Sequence, residues 1–177
     1  FRNVIGIDSV ATAEYIRSQT GVDLPIEQIL ESVWDIKLEI IRKQAVPAAG
    51  VMDLLHSIRK RDLPIRLASN SKRAYVEVAL ESMALGGAFD GTHTADDVAQ
   101  GKPAPDVYLA AVQALNIAPE HCLAIEDTPT GVLSAQAAGV RWVSVPYPGL
   151  EGAAFPPCFA SFPNLIDLKA DLDRLLR

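Results

Sequence analysis

At 177 residues, with 49% hydrophobic and 21% charged side chains, the chain is long enough for a real core plus a small addition and has an ordinary globular balance. Its net charge of −6 and the lack of any Lys/Arg-rich run argue against a nucleic-acid partner, while a locally positive site for an anionic small molecule stays open. No apolar run approaches the roughly 20 residues of a membrane span and no signal peptide is visible, so a cytoplasmic protein with no membrane partner is expected.

The chain opens with helices. Asp8 to Gln19 reads as a short helix ended by Thr20-Gly21. A longer one follows from Pro25, with Ile26, Ile29, Leu30 and Val33 at helical spacing, and runs through Trp34, Ile36, Ile40 and Ile41 to about Gln44. Ala45-Val46-Pro47 then breaks the pattern and marks a candidate hinge.

After the break the pattern alternates. Val51, Leu54, Leu55 and Ile58 predict a helix, Ile65–Ala68 a strand, and Val76, Ala79, Leu80 and Met83 a helix. Phe89–His93 is a short strand candidate, and Tyr108, Ala111, Val112 and Leu115 mark the next helix. Cys122–Ile125 is an apolar run that suits a strand buried on both faces of a parallel sheet. Thr130–Ala138 is a helix of small residues stopped by Gly139, a good C-cap. Trp142–Val145 is another strand, Tyr147–Pro163 reads as loop, and Leu168, Leu172, Leu175 and Leu176 mark a terminal helix. Strands alternating with helices predict an α/β protein: a Rossmann-like, doubly wound parallel sheet with helices on both faces. The two cysteines, Cys122 in the expected buried strand and Cys158, are expected as free thiols.

Three stretches carry candidate chemistry. Ser69-Asn70-Ser71 ends a strand just before a helix, where free backbone N–H groups, a hydroxyl and an amide form a cradle for phosphate. A plain N-cap by Ser69 or Ser71 is the alternative. Gly101-Lys102-Pro103-Ala104-Pro105-Asp106 stiffens the backbone with two prolines and holds Lys102 at a fixed point, suited to a phosphoryl group or to carboxylates. The alternative is a solvated lysine ahead of a helix. Glu126-Asp127 closes a strand where open α/β sheets place ligands, and Thr128-Pro129 starts the next helix. Helix capping needs only one of these acids, so a hard cation is the preferred reading of the pair. Together, a cation, an ammonium and a phosphate cradle on one sheet edge point to phosphoryl chemistry.

The order Ser69-Asn70, then Gly101-Lys102-Pro103-Ala104-Pro105-Asp106, then Ile125-Glu126-Asp127 with Gly131 resembles the haloacid dehalogenase superfamily. Within it, the chain is similar to the β-phosphoglucomutase-like branch of phosphatases and mutases. The resemblance is strong from Gly50 to about Pro146. More loosely it takes in the helical segment, so that residues 1–46 would be part of an α-helical cap and 47–177 the core. It implies that Ser69 holds the transferring phosphoryl group through its hydroxyl, with the Asn70 amide beside it. Lys102 would balance charge on the phosphoryl group and the nucleophile. Asp127 would be a ligand of Mg²⁺, with Glu126 sharing its surroundings.

The family's opening Asp-x-Asp-Gly-Thr, whose first Asp is the nucleophile and second the general acid/base, does not occur in these residues. Asp96-Asp97 stands in the wrong context, and Asp90-Gly91-Thr92 has Ala88 where a partner Asp would stand. The expectation is therefore that the sequence begins inside the cap, without a strand, its loop and the first cap helix, on the order of 30 residues. A parallel sheet lacking that strand would expose two hydrogen-bonding edges in its middle.

The expected function is a Mg²⁺-dependent phosphohydrolase for a small phosphorylated metabolite, working through an aspartyl-phosphate. Nothing in the apolar pattern demands a partner chain, so a monomer is expected. A mutase is the nearest rival. Its sugar-phosphate members carry an arginine just after the stretch that here reads Gly6-Ile7-Asp8, where this chain has Ser9 and, farther off, Arg2 and Arg17. A dehalogenase needs no magnesium, which Glu126-Asp127 argues against. A non-catalytic binding module is the remaining alternative.

Overall fold

The computed structural model describes residues 9–147, 150, 155–156 and 159–177. The Gly6–Asp8 stretch, Arg2 and Cys158 lie outside them. The chain divides into two units, Phe1–Ala45 and Val46–Arg177.

The first unit holds two helices, α1 (Ser9–Thr20) and α2 (Ile26–Gln44). Gly21, at φ 67°, takes the left-handed turn that stops α1, and its amide bonds to Arg17 O at 2.9 Å. Ala13 and Ile29 are its buried side chains among the described residues, while Ile36 and Ile40 of α2 are exposed. Arg17 is exposed on α1.

The second unit alternates as the periodicity predicts: α3 (Val51–Arg59), β1 (Leu67–Ala68), α4 (Arg73–Ser82), β2 (Thr92–His93), α5 (Asp106–Leu115), β3 (Leu123–Glu126), α6 (Pro129–Ala137) and β4 (Arg141–Ser144). Every strand pair is parallel. The stretch expected as loop contributes a further strand, β5 (Ala160–Ser161), two residues that are too short to show a period. The expected terminal helix is two, α7 (Leu165–Ala170) and α8 (Leu172–Leu175), broken at Asp171.

The sheet is covered on both faces. Val107, Tyr108 and Val112 of α5 and Val132 and Ala135 of α6 pack with Ala124 and Trp142 on one side. Leu54 of α3, Leu168 of α7, and Leu172 and Leu175 of α8 pack with Val143 on the other. Among the described residues, no helix is long and apolar enough to cross a membrane.

The sheet is not continuous. Among the described residues, β1 pairs only with β2, while β3, β4 and β5 form a separate sheet. In a parallel ladder, successive residues turn their amide and carbonyl alternately toward one neighbour and the other. Leu67 N and Ser69 N bond to Gly91 O and His93 O at 3.0 and 2.9 Å, so Ala68 turns the opposite way. Val145 N bonds to Glu126 O at 2.7 Å, which puts Glu126 and Ala124 toward β4 and turns Leu123 and Ile125 away from it. A cavity of about 540 Å³ is lined by both of these free edges, by Leu67 and Ala68 as well as by Leu123 and Ile125, and also by Lys102 and Asp127. α3 supplies Leu54 and Ile58 to its lining and α5 supplies Ala111 and Val112.

Candidate active site

The three candidate stretches converge on Lys102. Its loop is tied to the end of β1 by Asn70, whose Oδ1 accepts from Lys102 N at 2.6 Å and whose Nδ2 donates to Lys102 O at 2.9 Å. This approach leaves no room for a side chain at Gly101, where a Cβ would stand 2.8 Å from Asn70 Oδ1. Both polar ends of the Asn70 amide are therefore engaged with the lysine's backbone. The loop is held from below as well, by the buried Ser134 of α6, whose hydroxyl donates to Ala104 O at 2.5 Å.

The Lys102 side chain spans the gap between the two sheets. Nζ donates to Ala68 O, the carbonyl that β1 turns away from β2, at 3.0 Å, and to Glu126 Oε1 at the end of β3 at 2.5 Å. The pair is enclosed: the Lys102 side chain is 11% exposed and that of Glu126 4%. Burying a carboxylate costs several kcal/mol unless it is paired and hydrogen-bonded. Glu126 has both, because the buried Tyr108 hydroxyl donates to the same Oε1. The Lys102 ammonium also lies 5.0 Å from the centroid of the Tyr108 ring. Burial first, and then the charge of Glu126, push the Tyr108 phenol well above its ordinary range and keep it a donor.

Asp127 sits one residue on, with its side chain reaching solvent. The atoms crowded around it, and then the Glu126 charge, raise its carboxyl above the ordinary range, and Lys102 offsets this only in part. Two adjacent acids thus share one ammonium, and that ammonium is bonded to Glu126. This donor chemistry fits Mg²⁺, which takes one or two carboxylates and fills its other positions with water and phosphate oxygens. Among the described residues, no group of three or more His, Cys, Asp or Glu side chains could hold a metal ion.

Ser69 makes a turn and does not cap the following helix. Its Oγ accepts from Ser71 N at 3.1 Å, while α4 begins only at Arg73, with Lys72 at its N-cap. Among the described residues, the Ser69 hydroxyl donates to no acceptor, which leaves its proton available. Thr128 does cap α6, accepting from Gly131 N at 3.2 Å, with Pro129 at the first helical position. Cys122 is a half-buried free thiol whose pKa burial raises.

Two residues of this site escape a reading by pattern. Tyr108 belongs to the apolar stripe of α5, where a phenylalanine would look the same; the usable signal is that a buried tyrosine hydroxyl almost always finds a partner. Ser134 is hidden among the small residues of α6.

The model of the haloacid dehalogenase-like hydrolases matches residues 1–145. The chain belongs to that family. It is 38% identical over 101 residues to validoxylamine A 7′-phosphate phosphatase of Streptomyces hygroscopicus subsp. limoneus, an alignment covering 57% of this chain and 47% of that protein. It is 33% identical over 123 residues to hexitol phosphatase A of Escherichia coli, covering 64% and 56%. The chain thus spans about half the length of these curated relatives. Among solved structures, CbbY of Rhodobacter sphaeroides in complex with phosphate superposes with a TM-score of 0.76 at 23% identity, over 83% of this chain and 67% of that one. β-Phosphoglucomutase of Clostridium difficile gives 0.75 at 19% identity, over 99% and 82%. Identities this low establish the shared fold, an α/β Rossmann-like one.

Proposed function

We propose that the whole protein is a Mg²⁺-dependent phosphatase that hydrolyses the phosphate monoester of a small metabolite such as a sugar phosphate. One observation carries this reading: Lys102 is fixed at the gap between β1 and β3, bonded to Glu126 and beside Asp127. Relatives named as phosphatases of phosphorylated small molecules support it.

The gap has two free parallel edges and an apolar lining, which is the environment of a central strand. A strand from a segment preceding residue 1 fills it and carries the nucleophilic aspartate to the end where Lys102 stands. The aspartate carboxylate attacks phosphorus and the ester P–O bond breaks, so that the alcohol leaves with a proton from a neighbouring acid. Water then attacks the aspartyl-phosphate and releases inorganic phosphate. Lys102 attracts both the carboxylate and the phosphoryl oxygens and holds them together. Ser69 donates its free hydroxyl proton to a phosphoryl oxygen, and Asn70 contributes by fixing the lysine loop. Asp127, with Glu126 beside it, would hold Mg²⁺, which when bound would supply positive charge against the phosphoryl group. The helical unit serves as the cap, and the protein works in the cytoplasm.

The test is to express the protein with its upstream coding segment and to assay a panel of sugar and polyol phosphates with and without Mg²⁺. Release of inorganic phosphate that requires Mg²⁺ is expected. Loss of the reading follows if no ester is hydrolysed, or if a bisphosphate-primed isomerisation is the only reaction.

A further inference from the structure

We infer that Tyr108 is a positioning residue for Lys102: with the bare backbone at Gly131, its hydroxyl locks the Glu126 carboxylate and so holds the ammonium at one point of the cleft. The importance of that point rests on the phosphatase reading above; the locking itself does not.

A lysine ammonium rides on a flexible four-carbon stem, so its position is only as definite as its partners. Lys102 has two: Ala68 O, fixed by the backbone of β1, and Glu126 Oε1. The second is a side chain whose terminal torsion is broad by nature. Two contacts remove that freedom. Tyr108 OH donates to the oxygen that already receives Lys102, so one carboxylate oxygen is held by two donors from different elements. On the opposite side the carboxylate lies against α6, where a Cβ at Gly131 would come within 1.8 Å of Oε2. The Tyr108 ring then stands 5.0 Å from the ammonium and limits its swing. Packing alone does not require the hydroxyl, because the ring already fills its place among Val107, Val112 and Val132.

Tyr108→Phe keeps the ring and deletes the bond. The direct measurement is ¹⁵N NMR of the lysine ammonium groups in the complete protein, expressed with its upstream coding segment, with the Lys102 signal identified by its loss in Lys102→Arg. In the wild type, the Lys102 ammonium protons are expected to exchange slowly with water. In Tyr108→Phe they are expected to exchange about tenfold faster, with a fall of roughly 3–6 °C in melting temperature and the fold retained. In the complete enzyme, the same variant is expected to lose about tenfold in kcat with KM unchanged. A Lys102 ammonium that exchanges as fast as the other lysines in the wild type overturns the inference, and so does an exchange rate that Tyr108→Phe leaves unaltered. If the complete wild-type protein hydrolyses nothing, the phosphatase reading fails while the ammonium measurement still decides the role of Tyr108.

Discussion

Asn70 grips the backbone of Lys102 with both ends of one amide, accepting from its N–H at 2.6 Å and donating to its carbonyl at 2.9 Å. The two residues are 32 positions apart, so this clasp joins the end of β1 to the loop before α5. Asn70→Asp tests it with almost no change of shape. The N–H bond survives, but the second oxygen now faces the Lys102 carbonyl with no proton between them. We expect a loss of about 1–2 kcal/mol, read as a fall of roughly 3–6 °C in the melting temperature for a chain of this size. In the complete enzyme kcat is expected to fall about tenfold. Unchanged stability and turnover would show that the loop is placed by its prolines alone.

How much of this was legible follows the range of the interactions. Apolar residues at helical spacing located α2, α3, α4 and α5, and a hydroxyl followed by proline placed the start of α6, where Thr128 does accept from Gly131 N. β5 was hidden because two residues carry no period. Asp171, which ends α7, was hidden because it lies between buried Leu168 and Leu172 in an unbroken apolar spacing. The candidate site was legible as residue types but not as pairings. Asn70 looked like a phosphate donor, and nothing local reveals that its amide is committed 32 residues away. Tyr108 looked like core because ring and hydroxyl share one letter of the sequence, while its partner Glu126 lies 18 residues on, at the end of β3.

Gly131 is a place where helix propensity and packing disagree in sign. Replacing a helical glycine by alanine ordinarily stabilises by about 1 kcal/mol. Here the new Cβ would come within 1.8 Å of Glu126 Oε2 and 2.7 Å of Oε1, against a carboxylate already bonded to Lys102 and Tyr108. We therefore expect Gly131→Ala to destabilise by about 2 kcal/mol or more, as overpacking does elsewhere. Urea unfolding of the purified chain measures it, and a gain in stability would mean that the Glu126 carboxylate can move aside.

Acid should weaken the connection between α4 and the turn after β2. Asp97 accepts from the Arg73 guanidinium at 2.6 Å, from Thr94 N at 2.7 Å and from the Thr94 hydroxyl at 2.9 Å, and these bonds, the arginine's first, lower its carboxyl to about 2. A depressed carboxyl stabilises the fold above its unfolded value near 4 and loses that contribution as pH falls toward 2. Because both groups are partly open to water, the expected size is about 1 kcal/mol. Wild type and Asp97→Asn should therefore differ in unfolding free energy by that amount at pH 7 and converge near pH 2. A difference that does not change with pH would assign the effect to packing.

Asp127 should show the opposite sign. Crowding and the Glu126 charge raise its carboxyl, so its ionised form costs stability at neutral pH, and the cost is relieved as pH falls through the raised value. Asp127→Asn is then expected to raise the melting temperature of the metal-free chain at pH 7 by a small margin. In the complete enzyme the same change should lower turnover by orders of magnitude and abolish its response to added Mg²⁺. Stability gained where activity is lost is the behaviour of a residue kept for chemistry and not for folding. Melting curves in EDTA, paired with phosphate-release assays over a Mg²⁺ titration, separate the two effects. If Asp127→Asn leaves the Mg²⁺ response intact, the cation is held elsewhere and Asp127 has no part in binding it.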